Sequence, residues 1–191
     1  MMTQPVDVAA WRKERRAELT ARRQAIPIEQ RRQWNAALEA NLRNVLTQHA
    51  PAIVSFYWPF RGEFDPRPLI RELLTQGWRG ALPVVAEKNA PMTFRLWTPG
   101  APMVDGIWDI PVPRDGAIVI PDVVLGPVVG FDDAHFRLGN GGGYFDRTLA
   151  ILSPRPLTIG VGYEFSRLDT IYPQPHDQRF DIIVTEASIR R

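Results

Sequence analysis

The chain has 191 residues, 45% apolar and 23% charged, with a net charge of +2 and no cysteine, which suits one domain able to bury a sizeable core. The same figures exclude a disulfide scaffold, a thiolate metal site, a cysteine nucleophile and a global electrostatic case for nucleic acid. No apolar run approaches the roughly 20 residues of a membrane span, and Ala10 is followed at once by Trp11 and charged residues rather than a signal core, so a cytoplasmic protein without a membrane or nucleic-acid partner is expected.

Residues 6–25 read as a basic helix: Arg12, Lys13, Arg15, Arg16, Arg22 and Arg23 are broken by Glu14 and Glu18, over a thin apolar stripe of Trp11, Leu19 and Ile26. It is either a solvated surface helix decorated with salt bridges, an arm that brings cations to an anionic ligand, or a nucleic-acid arm. Pro27 breaks it, and a second helix is expected over 28–48, with Trp34, Leu38, Leu42, Val45 and Leu46 on one buried face. The run Ile53 to Trp58 is a buried strand that ends at Pro59. A polar loop carrying Glu63 and Asp65 follows. It leads into a helix whose apolar face is Leu69, Ile70, Leu73 and Leu74. Both carboxylates lie beyond the strand's carboxyl end, the edge at which open α/β sheets bind ligands. The plain alternative is that Asp65 caps the helix and Glu63 is solvated. Tyr57 and Trp58 precede the loop and can wall a flat ring.

Ala81 to Val85 and Met92 to Trp97 read as further strands. Residues 99–113, with two glycines and four prolines, read as a loop with Trp108 at its middle, as a staple or as a stacking surface. Residues 118–129 hold a strand of about five residues and a turn. Leu157 to Tyr163 and Ile182 to Thr185 are further strands, the latter the last of the chain, with irregular chain from Ser166 to Gln178 between them. Strands alternating with helices imply α/β architecture with a mostly parallel sheet.

The most informative stretch is Arg137 to Asp146, R-L-G-N-G-G-G-Y-F-D. A run of Gly141, Gly142 and Gly143 weakens regular structure and is kept where bare amides must approach a ligand, most often phosphate. The loop is expected to open a helix with Tyr144, Thr148 and Ile151 on one side and its positive end toward the anion. Arg137 can add a bidentate charge-assisted contact. Asp146 suits Mg²⁺, which takes one or two carboxylates beside phosphate oxygens. The alternative is a flexible glycine turn with a capping aspartate. The spacing matches neither a Walker A loop nor the dinucleotide fingerprint. With carboxylates at Glu63, Asp146 and Asp181 and the basic first helix, the residues themselves point to a phosphate-bearing ligand. No serine-hydrolase elbow or histidine metal spacing stands beside it.

Several segments together identify a resemblance: R-L-G-N-G-G-G-Y-F-D-R at Arg137 to Arg147 after Gly130-Phe131-Asp132, R-K-E-R-R-A-E-L from Arg12, G-E-F-D at Gly62 to Asp65, and P-H-D-Q-R-F-D-I-I-V-T-E at Pro175 to Glu186. The chain resembles the 5-formyltetrahydrofolate cyclo-ligase (5,10-methenyltetrahydrofolate synthetase) family over essentially its whole length. The resemblance implies one α/β domain over 1–191, Rossmann-like and three-layered, with helices flanking a mostly parallel sheet and the basic helix of 1–25 packed on it. It implies an ATP- and Mg²⁺-dependent ring closure of 5-formyltetrahydrofolate by a monomer, with ADP and phosphate released.

Residue by residue, the resemblance places ATP contacts at Arg12 and Arg16 and along Arg137, Leu138, Gly139, Asn140, Gly141, Gly142, Gly143, Tyr144 and Phe145. Arg137 and Asp146 would be catalytic, with Mg²⁺ on Asp146 and Asp181. Folate would meet Trp58, Glu63, Trp108 and the segment Asn140 to Tyr144. The chain departs from the family pattern at Arg12 (usually lysine), Asn140 (tyrosine or arginine), Phe145 (tyrosine), His135 (glycine) and Ser166 (glutamine). The departures at Asn140 and Phe145 keep in view a non-catalytic folate- or nucleotide-binding relative, and the arginine-rich first helix keeps in view an RNA-associated protein.

Overall fold

The computed structural model describes residues 7–191. Helix α1 (Val8–Gln24) begins where the Asp7 carboxylate accepts a hydrogen bond from the Ala10 amide, 3.1 Å, a side-chain N-cap. Arg22 and Arg23 sit in its last turn, where cations favour the helix dipole. Of the two residues expected to be helical before it, Asp7 is this N-cap and Val6 lies outside the described residues. Helix α2 (Ile28–Leu46) starts at Pro27, two residues shorter at its end than expected. Its face of Leu38, Leu42, Val45 and Leu46 is fully buried, with Trp34 at the margin.

Strand β1 (Ile53–Ser55) is followed by α3 (Arg67–Thr75), β2 (Arg79–Val84) and β3 (Thr93–Trp97). The expected loop of 99–113 is instead a small hairpin, β4 (Met103–Asp105) and β5 (Pro111–Pro113), with a single helical turn at Ile107–Asp109 across its tip. Then come β6 (Ile118–Val119), β7 (Val123–Pro127), the hairpin β8 (Gly130–Phe131) and β9 (Arg137–Leu138), α4 (Tyr144–Leu149), β10 (Leu157–Val161), β11 (Ile182–Val184) and β12 (Ile189–Arg190). The last strand is therefore β12, not the one at Ile182.

The main sheet runs β12-β11-β10-β7-β1-β2-β3-β6. Strands β11, β10, β7, β1 and β2 are mutually parallel, whereas β12, β3 and β6 run antiparallel to their neighbours. This is the mostly parallel α/β sheet expected. The chain builds outward from β1 through β2, then returns to lay β7 on the other side of β1. The order therefore reverses between β1 and β7, and a crevice opens beyond the carboxyl ends of these two strands, where such sheets bind ligands.

Alternation along each strand divides the core between two faces. Val123 and Leu125 of β7 join Ile182 and Val184 under α2 and α3, while Val124 and Ile183 join Phe131, Leu149 and Phe180 on the opposite face. That second face is covered by the six-residue α4, Phe131 of β8 and the chain around Phe180. Ile151 falls beyond the end of α4 and is 66% exposed, so it does not share a buried side with Thr148. Helix α1 packs at the carboxyl edge, with Leu19 beside Val129, Leu138 and Ile171. No helix among the described residues is long and apolar enough to cross a membrane.

Candidate active site

Residues after β1, β2 and β7, the α1 face, the β4–β5 hairpin and the glycine loop enclose one cavity of about 620 Å³. That size suits a drug-sized ligand. Arg12, Arg16, Trp58, Glu63, Trp108, Arg137, Gly139 through Tyr144, Phe145 and Asp146 all line it. The structure thus brings nearly every residue singled out from the sequence to one place. It leaves two outside.

Asp181 is the first exception. Its Oδ2 accepts from the Thr158 amide at 2.8 Å and the Thr158 hydroxyl at 2.7 Å, and its Oδ1 from Arg155 at 2.9 Å. It stands just before β11 and beside the start of β10, at the amino edge of parallel strands, opposite the crevice. It does not line the cavity that Asp146 lines. Burial alone would raise its carboxyl, but the bonds from Thr158 and Arg155 hold it below the usual range. Leu138 is the second exception. Its side chain is buried beside Leu19 and Val129, and its carbonyl accepts from the Val129 amide at 2.8 Å.

The inner end of the cavity is cationic. Arg137, in β9, is only 6% exposed, and its Nε and Nη2 have no hydrogen-bond partner. Its guanidinium lies between two rings, 4.7 Å from the centroid of Phe180 and 5.0 Å from that of Phe145. Burial lowers its pKa, with Asp146 and Asp177 acting in the opposite sense. The nearest carboxylate oxygen, Oδ2 of Asp146, is 3.8 Å away, and the other oxygen accepts from the Gln178 amide at 3.0 Å. A buried guanidinium with unmet donors is costly unless an anion completes it.

The glycine loop wraps this cation. A Cβ on Gly139 would stand 2.6 Å from the Arg137 Nη1, so only glycine lets the arginine lie where it does. Gly143 precedes α4 at φ +64°, a left-handed conformation that glycine adopts without strain. Arg147 donates to the Gly142 carbonyl and stacks on Tyr144, pinning the loop from outside. Helix α4 has only six residues, so its dipole is weak, and charge from Arg137 and Arg16 replaces the expected helix terminus.

The basic helix turns out to be two-sided. Arg12, Arg16, Leu19 and Arg23 follow at four, three and four residues, one helical face, and this face points inward. Arg15 pairs outward with Glu14 and Glu18, as in the solvated reading. The Arg16 Nε donates to the Gly139 carbonyl at 2.9 Å, and no carboxylate among the described residues pairs with its guanidinium. Arg12 is committed elsewhere: it donates to the Ile171 and Tyr172 carbonyls and forms a two-pronged ion pair with Asp177. It borders the cavity while bolting α1 to the loop of 171–178.

The outer end is flatter and more apolar. Met92, Ile110 and Val112 face Tyr57, Trp58 and Tyr144 across it. Arg67 lies 4.4 Å over the Trp58 ring and is fixed by both oxygens of Asp65 at 2.8 Å. Asp65 also accepts from the Arg67 amide at the start of α3, so its capping role holds. Glu63 is not solvated: it is 9% exposed, its Oε2 accepts from the Phe60 amide at 3.0 Å, and its Oε1 accepts from Asn140 at 3.2 Å. Burial pushes its carboxyl up from the ordinary value. Trp108 stands at the mouth, 53% exposed, at φ +58°, with its ring edge-on to Tyr144 at 5.9 Å. Half exposed, it is not a buried staple under the hairpin, and it borders the cavity.

Sequence reasoning missed Arg23, Arg147 and the apolar wall of the β4–β5 hairpin. Arg23 had a signal, its eleven-residue offset from Arg12. The hairpin had little, since strands of three residues are too short to alternate legibly, and β5 holds two prolines.

A family model for the 5-formyltetrahydrofolate cyclo-ligase family matches residues 8–186. The 5-formyltetrahydrofolate cyclo-ligase of Escherichia coli (strain K12) is 33% identical over 88% of this chain and 96% of its own. That of Haemophilus influenzae is 26% identical over 91% and 97%. The NMR structure of Aquifex aeolicus 5,10-methenyltetrahydrofolate synthetase superposes with a TM-score of 0.80 at 28% identity, covering 94% of this chain and 92% of that one. With this match spanning both the glycine loop and the cavity around it, the chain belongs to the 5-formyltetrahydrofolate cyclo-ligase family of enzymes.

Proposed function

We propose that the protein converts 5-formyltetrahydrofolate to 5,10-methenyltetrahydrofolate at the expense of ATP. The observation that carries this reading is Arg137: a buried cation with unmet donors, ringed by glycine backbone, in the same cavity as the buried acceptor Glu63. Arg137, Arg16 and the amides of Gly141 to Gly143 would hold the phosphates. Trp58 and Tyr57 would flank the ring system, Glu63 would accept from its donor edge, and Trp108 and Tyr144 would cover it.

A formamide oxygen is a poor leaving group. Transfer of the terminal phosphoryl group of ATP to that oxygen forms a C–O–P linkage and releases ADP. The N10 lone pair then attacks the activated carbon, the C–O bond breaks, phosphate departs with the bonding pair, and N10 loses its proton. The chain supplies no covalent nucleophile. It would align two ligands and neutralise charge on the moving group, the work this reading gives to Arg137 and Arg16.

The donor set fits Mg²⁺ in its nucleotide-bound form, in which one carboxylate, here Asp146, adds to phosphate oxygens. Among the described residues no cluster of three or more acidic or histidine side chains would hold a metal alone. When bound, the ion would neutralise phosphate charge. The test is direct: purified protein with MgATP and 5-formyltetrahydrofolate gains the absorbance of the methenyl product. No gain, with neither ligand binding by calorimetry, rejects the reading.

A further inference from the structure

Behind the cavity lies a charge pair that the reaction itself does not explain. The Arg23 and Glu63 side chains are 5% and 4% exposed. Arg23 reaches from the last turn of α1, its Nε donating to the Arg61 carbonyl at 3.0 Å and its Nη1 to the Val128 carbonyl at 3.5 Å. Its Nη2 has no hydrogen-bond partner and stands 3.7 Å from the Glu63 Oε1. It is the only cation within ion-pair distance of Glu63 among the described residues.

The other groups around Glu63 do not substitute for it. Asp65 is neutralised by Arg67. Arg31 is spent on the Gly62 and Arg23 carbonyls. The Tyr163 hydroxyl donates to Asn35 at 2.6 Å, and the Tyr57 hydroxyl is buried without a partner. Arg61 faces Glu63 from its own loop and stacks on Phe60. Asn140 and the Phe60 amide add neutral donors only.

The protonation state of Glu63 decides what it can recognise. Ionised, it only accepts hydrogen bonds; protonated, it presents an O–H to a ring edge that also donates. Burial favours the protonated form and Arg23 opposes it. We propose that Arg23 is a positioning residue that keeps Glu63 ionised and turned into the cavity, so that its oxygens accept from the adjacent N–H groups of a 2-amino-4-oxo heterocycle. The inference rests on the folate reading of the cavity.

The test is calorimetric titration of 5-formyltetrahydrofolate into wild type, R23Q, R23K and E63Q from about pH 5.5 to about pH 9. Wild-type affinity rises with pH to a plateau, E63Q flattens the rise, and R23K leaves its midpoint near wild type. R23Q moves the midpoint up by about one pH unit or more, which below the midpoint is about tenfold weaker binding that recovers at high pH. An R23Q midpoint equal to wild type overturns the proposal. If R23Q does not fold, ¹⁵N NMR of the wild-type arginine side chains decides. The resonance missing from R23K must shift as Glu63 titrates, and an indifferent resonance overturns the proposal. Failure of wild type to bind folate at all rejects the reading of the cavity, while the NMR coupling still tests the pair.

Discussion

The Arg137 Nη2 and the Asp146 Oδ2 stand 3.8 Å apart, beyond hydrogen-bond length, although both line one sequestered corner. A pair meant only to stabilise the fold would close. This one leaves a gap with positive charge on one side and negative on the other, which phosphate oxygens and a metal ion would fill. Arg137 therefore costs stability in the free protein. R137M is expected to lose ATP affinity by about 100-fold, from two charge-assisted bonds of about 1.5 kcal/mol each. Its melting temperature should stay level or rise by a few degrees. Calorimetry and thermal unfolding check the two together, and a variant that loses stability along with binding would make Arg137 a structural cation instead.

Asp146 and Asp181 should separate in their effects. D146N keeps an acceptor for the Gln178 amide, so its stability should change little while turnover falls by about 100-fold or more. D181N should keep turnover. It loses a charged acceptor for the Thr158 amide and hydroxyl and is expected to cost about 1–2 kcal/mol. Steady-state rates and urea unfolding of both variants measure this.

The Arg12–Asp177 pair gives a pH-dependent clamp. Burial would raise the Asp177 carboxyl, but its bonds from Arg12 and the Gln174 amide hold it below the ordinary value. A depressed folded-state pKa stabilises above the unfolded value, and that contribution disappears as pH falls through the folded one. D177N breaks a buried pair one-sidedly and should cost about 3 kcal/mol at neutral pH. Its stability deficit should shrink below about pH 4. Unfolding curves across pH read this directly, and a deficit that does not change with pH would refute the clamp.

Trp108 is half exposed and touches Tyr144 only by its edge. W108A should leave the melting temperature within about 2 °C while raising the KM for folate by about tenfold, the worth of one lost stacking face. A KM unchanged in W108A would remove the residue from the folate site.

Much of this architecture is legible in the residues, and what is not has identifiable causes. The buried face of α2 reads directly because its spacing is helical and its residues are aliphatic. The inward face of α1 is harder to assign, because two of its three buried residues, Arg12 and Arg23, are arginines that patterning treats as solvent-facing. The place of Asp181 is hidden for a different reason. It lies immediately before a strand, and a residue before a parallel strand stands at the amino edge, away from the crevice. That edge becomes known only once β11 is paired with β10. Glu63 and Asp65 lie two residues apart, yet one enters the cavity and the other ties Arg67 at the start of α3. Spacing alone does not reveal that division.

The claim that matters most is that Arg137 and the bare amides after Gly139 hold a triphosphate. The most direct measurement is a crystal structure with Mg²⁺ and a non-hydrolysable ATP analogue. The account predicts phosphate oxygens within hydrogen-bond distance of the Arg137 Nε or Nη2 and of the amides of Gly141 to Gly143, with the metal on Asp146. Phosphates bound elsewhere, with the Arg137 guanidinium closed onto Asp146, would contradict it.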